Sequence, residues 1–185
     1  MSVRDRWINL VYKAATGSRK IRLMLTPIVG LSFVFFTICF IILSFFIDSL
    51  LGLSDFLPVP VNYLISVPLL VVGLSLVFWS VVNFLKVKGT PVPFNPPPEL
   101  VASGPYRYAR NPMLGGLFTV MFGIGVLCQS ISLVFFFTPL FILINVVELK
   151  LIEEPELEMR LGKPYIDYRK KTPMFFPGGK FRQSG

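Results

Sequence analysis

The sequence predicts an all-α integral membrane protein with about four transmembrane helices, folded as a single membrane domain over residues 1–185. Three observations indicate this class. The chain is 54% hydrophobic and only 15% charged, whereas ordinary soluble domains carry about 25% charged residues. Four long apolar stretches contain neither Lys nor Arg. The basic residues all lie between or outside these stretches, as expected if the stretches are surrounded by lipid.

The four apolar stretches occupy residues 24–47, 61–85, 113–128 and 131–147. The first two exceed the roughly 20 residues that a helix needs to cross a hydrocarbon core of about 30 Å. The third and fourth are shorter, and the tripeptide CQS at 128–130 separates them. We therefore expect the last two stretches to form a C-terminal helical hairpin with a tight turn at this tripeptide.

The placement of charge predicts the orientation of the chain. The 18 basic residues lie before residue 24, between 86 and 112, or after 147. The loop between the first two stretches carries Asp48 and Asp55 and no base. Because cytoplasmic loops are enriched in Lys and Arg, both termini and the 86–112 loop are expected to be cytoplasmic. The net charge of +8 is explained by anionic lipid head groups, so the expected partner is the membrane bilayer and not nucleic acid.

Three parts follow one another within the domain. Residues 1–22 form a basic segment whose apolar side chains suit a helix lying in the membrane interface, namely Trp7, Ile8, Leu10, Val11 and Tyr12. Residues 24–85 hold the first two spans, and residues 88–177 hold a core built around the hairpin. The tract 88–100 has five prolines in thirteen residues, which excludes a helix or a central strand and predicts a stiff, extended connection.

The sequence over 146–161 is typical of a helix that continues the fourth stretch out of the membrane. Pro155 lies inside this helix. Because proline lacks an N–H, the carbonyl of Leu151 loses the donor that an α-helix would provide. We therefore expect a kink at this point, next to Glu153 and Glu154.

The residue types restrict the chemistry. The chain has no histidine and only two cysteines, which excludes Ser-His and Cys-His catalysis and a histidine-ligated metal centre. We therefore expect no metal site. No glycine-rich phosphate-binding loop opens a helix, so a nucleotide cradle of that kind is not indicated.

Two polar tracts flank the hairpin, and about forty residues of sequence separate them. The first, GPYRYARNP, covers residues 104–112, and the second, EEPELEMR, covers residues 153–160. Because the base of a hairpin lies on one side of the membrane, the tracts are expected to meet in a cytoplasmic cofactor pocket formed by loop 88–112 and the tail 150–177. A single Arg or Tyr at a membrane interface is more often an anchor, but the tracts taken together favour a functional site.

These two tracts carry a resemblance. ELVASGPYRYARNPMLGG, followed after the hairpin by EEPELEMRLGKPYIDYRKKTPMFFP, resembles the isoprenylcysteine carboxyl methyltransferase and phospholipid methyltransferase superfamily. In that superfamily a G-x-Y…R-H/N-P-x-Y motif precedes a hairpin and an E-E-x-x-L…F-G-x-x-Y-x-x-Y motif follows it. The resemblance covers residues 88–177 and is specific, because two motifs occur in the right order around the hairpin.

The resemblance implies S-adenosylmethionine-dependent methyl transfer at the cytoplasmic membrane face. The acceptor would be lipid-like or membrane-embedded, carrying an isoprenylcysteine-type carboxyl or a related group. By position, the implied cofactor-binding residues are Pro98, Glu99, Leu100, Val101, Tyr106, Asn111, Pro112, Met113, Leu114 and Glu153.

The candidate catalytic residues implied by the resemblance are Arg110 and Glu154. Arg110 could bind the carboxylate of the cofactor, or it could pair with Glu154 and hold the loop. Leu114 stands where the superfamily motif has Tyr, and Leu149 stands where the superfamily has a substrate-associated Arg. These departures leave open an alternative function, a non-catalytic membrane scaffold or partner protein that keeps the fold.

Overall fold

The computed structural model describes residues 2–86, 97 and 99–176, and this part of the chain is helical, without a β-strand. The all-α prediction is therefore confirmed. The α-helices are α1 (Val3–Thr16), α2 (Arg19–Leu51), α3 (Val59–Lys86), α4 (Pro112–Leu127), α5 (Thr138–Glu148), α6 (Glu154–Leu161) and α7 (Lys163–Lys171). A 3₁₀ turn covers Gly104–Arg107, and two π-helical turns cover Leu133–Phe137 and Leu149–Glu153.

Three helices among the described residues are long and apolar enough to cross a membrane. They are α2 with 33 residues, α3 with 28 residues, and the continuous helix Leu133–Leu161 with 29 residues, which contains α5 and α6. The predicted third span, α4, has 16 residues and is about 24 Å long at 1.5 Å per residue. It is therefore shorter than a hydrocarbon core of about 30 Å.

Helices α3 and α4 pack closely because glycines face each other across their contact. A Cβ atom added to Gly73 on α3 would lie 2.8 Å from the Gly116 carbonyl oxygen, and one added to Gly116 would lie 2.8 Å from the Gly73 carbonyl oxygen. Two turns further along α4, a Cβ atom on Gly123 would lie 2.9 Å from the side chain of Leu70. Small residues let helix backbones approach each other in a membrane, so this seam fixes the position of α4.

Phenylalanine rings join the other helices. On α2, the ring centroid of Phe40 lies 5.8 Å from Phe137 and 5.4 Å from Phe141, both on the Leu133–Leu161 helix. From α4, Phe118 lies 6.1 Å from Phe141 with its ring nearly perpendicular. These edge-to-face contacts form the core of the bundle.

The tip of the hairpin is tied to the last turn of α2 and to the loop between α2 and α3. The Ser130 hydroxyl donates to the carboxylate of Asp48, and the Ser132 N–H donates to the same carboxylate at 2.9 Å. The Gln129 side chain donates to the Leu57 carbonyl at 2.8 Å and accepts from the Leu57 N–H at 3.2 Å. Asp48 therefore satisfies N–H and hydroxyl groups at the start of the last long helix, as an N-cap residue would.

Replacement of Asp48 by alanine is expected to lower the free energy of unfolding by about 2–3 kcal/mol, because the buried Ser130 hydroxyl and the Ser132 N–H lose their acceptor. Denaturant titration in detergent micelles measures the change. Asp55→Ala is the matched control, since this exposed acid lies seven residues further along the chain, in the loop after α2. Equal stability of the two variants would show that the hairpin tip does not depend on Asp48.

The predicted break at Pro155 takes the form of a π-helical turn. The turn Leu149–Glu153 immediately precedes α6, whose first turn contains Pro155. The N–H of Glu154 donates to the Leu149 carbonyl, five residues back instead of four. Such turns accommodate proline inside long helices, because they shift the hydrogen-bonding register where one donor is missing.

The predicted interfacial segment 1–22 contains α1 and the start of α2. Helix α1 buries Ile8, Val11 and Ala15 and contacts α6 and the π turn before it. Ile8 and Val11, which were expected at the membrane interface, therefore pack against the protein, whereas Trp7 is 53% exposed on the other side of the helix. The helix is therefore packed against the protein on one side only.

Candidate functional site

The first polar tract turns sharply at Gly104, next to the end of α3. Gly104 has a φ of +58°, and a Cβ atom there would lie 2.6 Å from the Asn83 side-chain oxygen. The Asn83 side-chain amide donates to the Ser103 carbonyl at 3.3 Å. Only glycine combines this backbone conformation with so close an approach, so the sequence Ser-Gly-Pro positions the 3₁₀ turn that carries Tyr106.

Tyr106 is buried and fixed from two sides. Its ring lies edge-to-face on Phe84 with centroids 4.9 Å apart, and its carbonyl accepts a hydrogen bond from the Tyr168 hydroxyl at 2.5 Å. Burial raises the pKa of the Tyr106 hydroxyl, a hydrogen bond with Ser80 lowers it, and the nearby Tyr168 and Glu153 raise it further. The net rise in pKa keeps the Tyr106 hydroxyl protonated at neutral pH.

Arg110 and Glu154 form the central ion pair of the site. The Nη1 atom of Arg110 donates to one carboxylate oxygen of Glu154, and Arg169 lies 3.6 Å from the other oxygen. The side chains of Arg110 and Glu154 are only 12% and 10% exposed. Of the two alternatives for Arg110, the structure shows the pair with Glu154. The Nε atom of Arg110 is buried and has no hydrogen-bond partner within the described part of the chain.

Two tyrosines of α7 close the site from the C-terminal side. Burial raises the pKa of Tyr165 to about 12, with Glu154 raising it and the adjacent Arg110 lowering it. Burial also raises the pKa of Tyr168, whose hydroxyl donates to Tyr106. Sequence reasoning did not single out either residue for a role, although the Y-x-x-Y spacing places both on one face of a helix. Both hydroxyls stay protonated at neutral pH.

The segment after α7 pairs with the start of α4. The N–H of Arg110 donates to the Pro173 carbonyl, and the N–H of Asn111 donates to the Met174 carbonyl, each at 2.8 Å. Phe175 then packs its ring 5.2 Å from that of Phe118. Since the Asn111 N–H is already used within the chain, it is not free to donate to a ligand.

A second ion pair on α6 was not predicted. Glu156 is 2% exposed and accepts a hydrogen bond from Arg160 at 2.8 Å. Arg160 also donates to the Pro97 carbonyl at 3.3 Å. The i, i+4 spacing of Glu156 and Arg160 is the sequence pattern that could have predicted this pair. The pair links α6 to the proline tract just before the predicted cofactor segment.

The remaining residues predicted to bind the cofactor differ in how far they are buried. Pro98 lies outside the described residues. Glu99 is exposed, whereas Leu100 and Val101 are partly buried. The predicted residues at the start of α4 are Pro112, which is buried, and Met113 and Leu114, which are partly buried. Leu114 packs against the phenylalanine core, so its side chain contributes to the core of the bundle.

A family model described as phospholipid methyltransferase matches residues 61–164, more than half of the 185 residues. The chain belongs to the phospholipid methyltransferase family. This confirms the resemblance found in the motifs, and together with the three apolar helices it identifies an integral membrane protein of a methyltransferase family. No curated protein and no solved structure matches the chain.

The part of this phospholipid methyltransferase family member that matches runs from α3 to the start of α7. It includes Tyr106, Arg110, Glu153 and Glu154, which the fold brings to one end of the hairpin. Helix α1 lies outside the match, as do Tyr165 and the residues after it. The fold therefore adds contacts to the site from chain segments on both sides of the matched region.

Proposed function

We propose that this phospholipid methyltransferase family member is an S-adenosylmethionine-dependent methyltransferase that acts on a lipid-like or membrane-embedded acceptor. An isoprenylcysteine-type carboxyl or a related group would be the methyl acceptor. The site would open to the cytoplasm, because it lies at the end of the bundle that carries the basic 86–112 loop. The observation that supports the proposal is the ion pair of Arg110 and Glu154, which joins two distant tracts into one polar cluster.

The residues of the cluster suit S-adenosylmethionine. Glu153 has neither an ion pair nor a hydrogen bond among the described residues, so its carboxylate is available to the ribose hydroxyls or the ammonium group. The unpartnered Nε of Arg110 offers a donor to the cofactor carboxylate. The ring of Tyr106 suits the adenine or the positively charged sulfonium. These three groups match the charges and the aromatic surface of the cofactor.

The chain's own task in methyl transfer would be alignment. Bound S-adenosylmethionine supplies a methyl group that its sulfonium already activates. Arg110 is held by Glu154 and by the nearby Tyr165, and Tyr168 holds the backbone at Tyr106. A fixed site of this kind would hold the acceptor and the methyl donor in position for direct transfer. A carboxylate acceptor needs no general base, while an amine acceptor has to be bound in its neutral form.

Purified protein is expected to bind S-adenosylmethionine, and Glu153→Ala is expected to weaken binding by about 1.5–3 kcal/mol, the contribution of a charge-assisted hydrogen bond. Isothermal titration calorimetry in detergent and in lipid nanodiscs measures both values. Asp55→Ala is the control, since this exposed acid lies at the opposite end of the bundle and should bind as the wild type does.

A non-catalytic scaffold is the second candidate. One observation favours it: the chain itself occupies the Glu154 carboxylate and the N–H groups of Arg110 and Asn111. A scaffold binds no cofactor, so absence of binding by the wild type in both detergent and lipid would favour it over the enzyme. If binding is found, incubation of membranes with methyl-labelled cofactor identifies the acceptor from the lipid or small molecule that takes up the label.

A further inference from the structure

Because Pro155 has no N–H, the Leu151 carbonyl lacks the donor that an α-helix would provide. It accepts a hydrogen bond from a different helix instead. The Nε of Arg4, on α1, donates to the Leu151 carbonyl at 3.2 Å. The two residues are separated by 147 positions in the sequence. Leu151 lies within the π turn Leu149–Glu153, two residues before Glu153 and three residues before Glu154. A side chain from the first helix therefore binds the helix of the site at its proline break.

Helix α1 is built to hold Arg4 in this position. A capping box fixes its first turn: the Ser2 hydroxyl accepts from the Asp5 N–H at 3.1 Å, and the Asp5 carboxylate accepts from the Ser2 N–H at 3.0 Å. Ile8, Val11 and Ala15 are buried and recur at helical spacing. Since α1 contacts both the π turn and α6, this apolar face positions Arg4 on the helix of the site.

The register of the π turn decides where the acids of the site point. A π turn holds one more residue per turn than an α-helix, and each residue is rotated by about 100° around the helix axis. If the turn reverted to α-helical register, Glu154 would rotate by about that angle relative to the preceding helix. Its carboxylate would then leave Arg110, and Glu153 would leave the vicinity of Tyr106.

We propose that Arg4 is a positioning residue for methyl transfer, which stabilises the π turn through the Leu151 carbonyl and so aims Glu153 and Glu154 at the site. This inference rests on the proposed function. It gives α1, a helix outside the matched region, a part in the activity beyond its contact with lipid. Arg4 touches neither cofactor nor acceptor, so it acts through the helix that carries the acids.

Three variants separate this role from a general effect of charge on α1. Arg4→Gln shortens the side chain and removes the cation, while Arg4→Lys keeps a charged donor that can reach a carbonyl. Arg6→Gln is the matched control, because Arg6 is exposed on α1, as Arg4 is, but its side chain has no hydrogen bond or ion pair among the described residues. Each variant is studied as the full chain in lipid nanodiscs.

Arg4→Gln is expected to speed amide hydrogen exchange over residues 149–156 by about tenfold and to weaken S-adenosylmethionine binding by about five- to twentyfold, the effect of one lost hydrogen bond to a charged group. With a methyl acceptor, the KM for the cofactor should rise more than kcat falls. Arg4→Lys should restore most of the affinity, and Arg6→Gln should match the wild type.

The outcomes distinguish the two proposals. Wild-type protein that binds no S-adenosylmethionine overturns the proposed function, and the positioning role falls with it. Wild-type binding with unchanged exchange or unchanged affinity in Arg4→Gln overturns the positioning role alone. Equal losses in Arg4→Gln and Arg6→Gln also overturn it, because they would indicate a charge effect of the whole helix.

Discussion

Replacement of Arg110 by methionine is expected to lower the free energy of unfolding by about 3 kcal/mol and to abolish detectable S-adenosylmethionine binding. The physical reason is the burial of Glu154, which is 8% exposed and loses its closest cation. Removal of one partner from a buried ion pair costs about 3–5 kcal/mol. Arg169 lies 3.6 Å from the other Glu154 oxygen and partly replaces the lost positive charge. We therefore expect a loss of stability at the lower end of this range. Denaturant unfolding and calorimetry measure the two effects.

Arg107→Met is the matched control, because this arginine is exposed on the 3₁₀ turn three residues earlier. It should leave both stability and binding close to wild-type values. The double variant Arg110→Met/Glu154→Met completes a mutant cycle and should be more stable than the sum of the single losses predicts, by about 1–3 kcal/mol. Additive losses in the cycle would contradict a direct ion pair between the two side chains.

Much of the fold could be predicted because lipid imposes simple rules on the sequence. Apolar stretches without Lys or Arg became helices, and the turn at CQS joins α4 to the last long helix. The hairpin then forces residues 104–112 and 153–160 to the same end of the bundle, which is why the candidate site could be anticipated. The sequence predicts about four spans, whereas three helices among the described residues are long enough to cross a membrane, because α4 has only 16 residues.

The detailed partners of each side chain could not be predicted, because they depend on distances that charge and hydropathy do not encode. Arg110 has the charge to bind either a cofactor carboxylate or Glu154, and only the packed fold brings it to the latter. Pro155 predicted an unpaired Leu151 carbonyl, yet nothing local indicated that Arg4 would reach it. Such long-range contacts arise from tertiary packing, which overrides local signals.

The backbone pairing of Arg110 and Asn111 with Pro173 and Met174 was not predicted for the same reason. It uses main-chain groups, and these are the same for every residue type except proline. The proline at 112 contributes, because the first helical position of α4 needs no N–H of its own there. The N–H groups just before α4 can then pair with the segment after α7. Phe175 in that segment lies against Gly115 and packs on Phe118 of the core.

Replacement of Gly116 by valine is expected to cause the largest loss of stability in the bundle, at least about 3 kcal/mol. A Cβ atom there would lie 2.8 Å from the Gly73 carbonyl oxygen and 3.0 Å from the backbone nitrogen of Val77. Both obstacles are backbone atoms of α3, so no rotamer change relieves the clash. In lipid, helices associate mainly through close packing, and a forced separation removes that contribution directly.

The glycine contact between α3 and α4 also affects the position of the site. Helix α4 begins at Pro112, directly after the site residues Arg110 and Asn111. Gly116→Val should therefore weaken cofactor binding together with stability, as seen by calorimetry and by thermal unfolding in nanodiscs. Val72→Leu is the control: Val72 is 60% exposed, next to Gly73 on α3, and tolerates a larger side chain facing lipid. A Gly116→Val protein as stable as Val72→Leu would mean that α3 and α4 do not meet at these glycines, and that the start of α4 is positioned by other contacts.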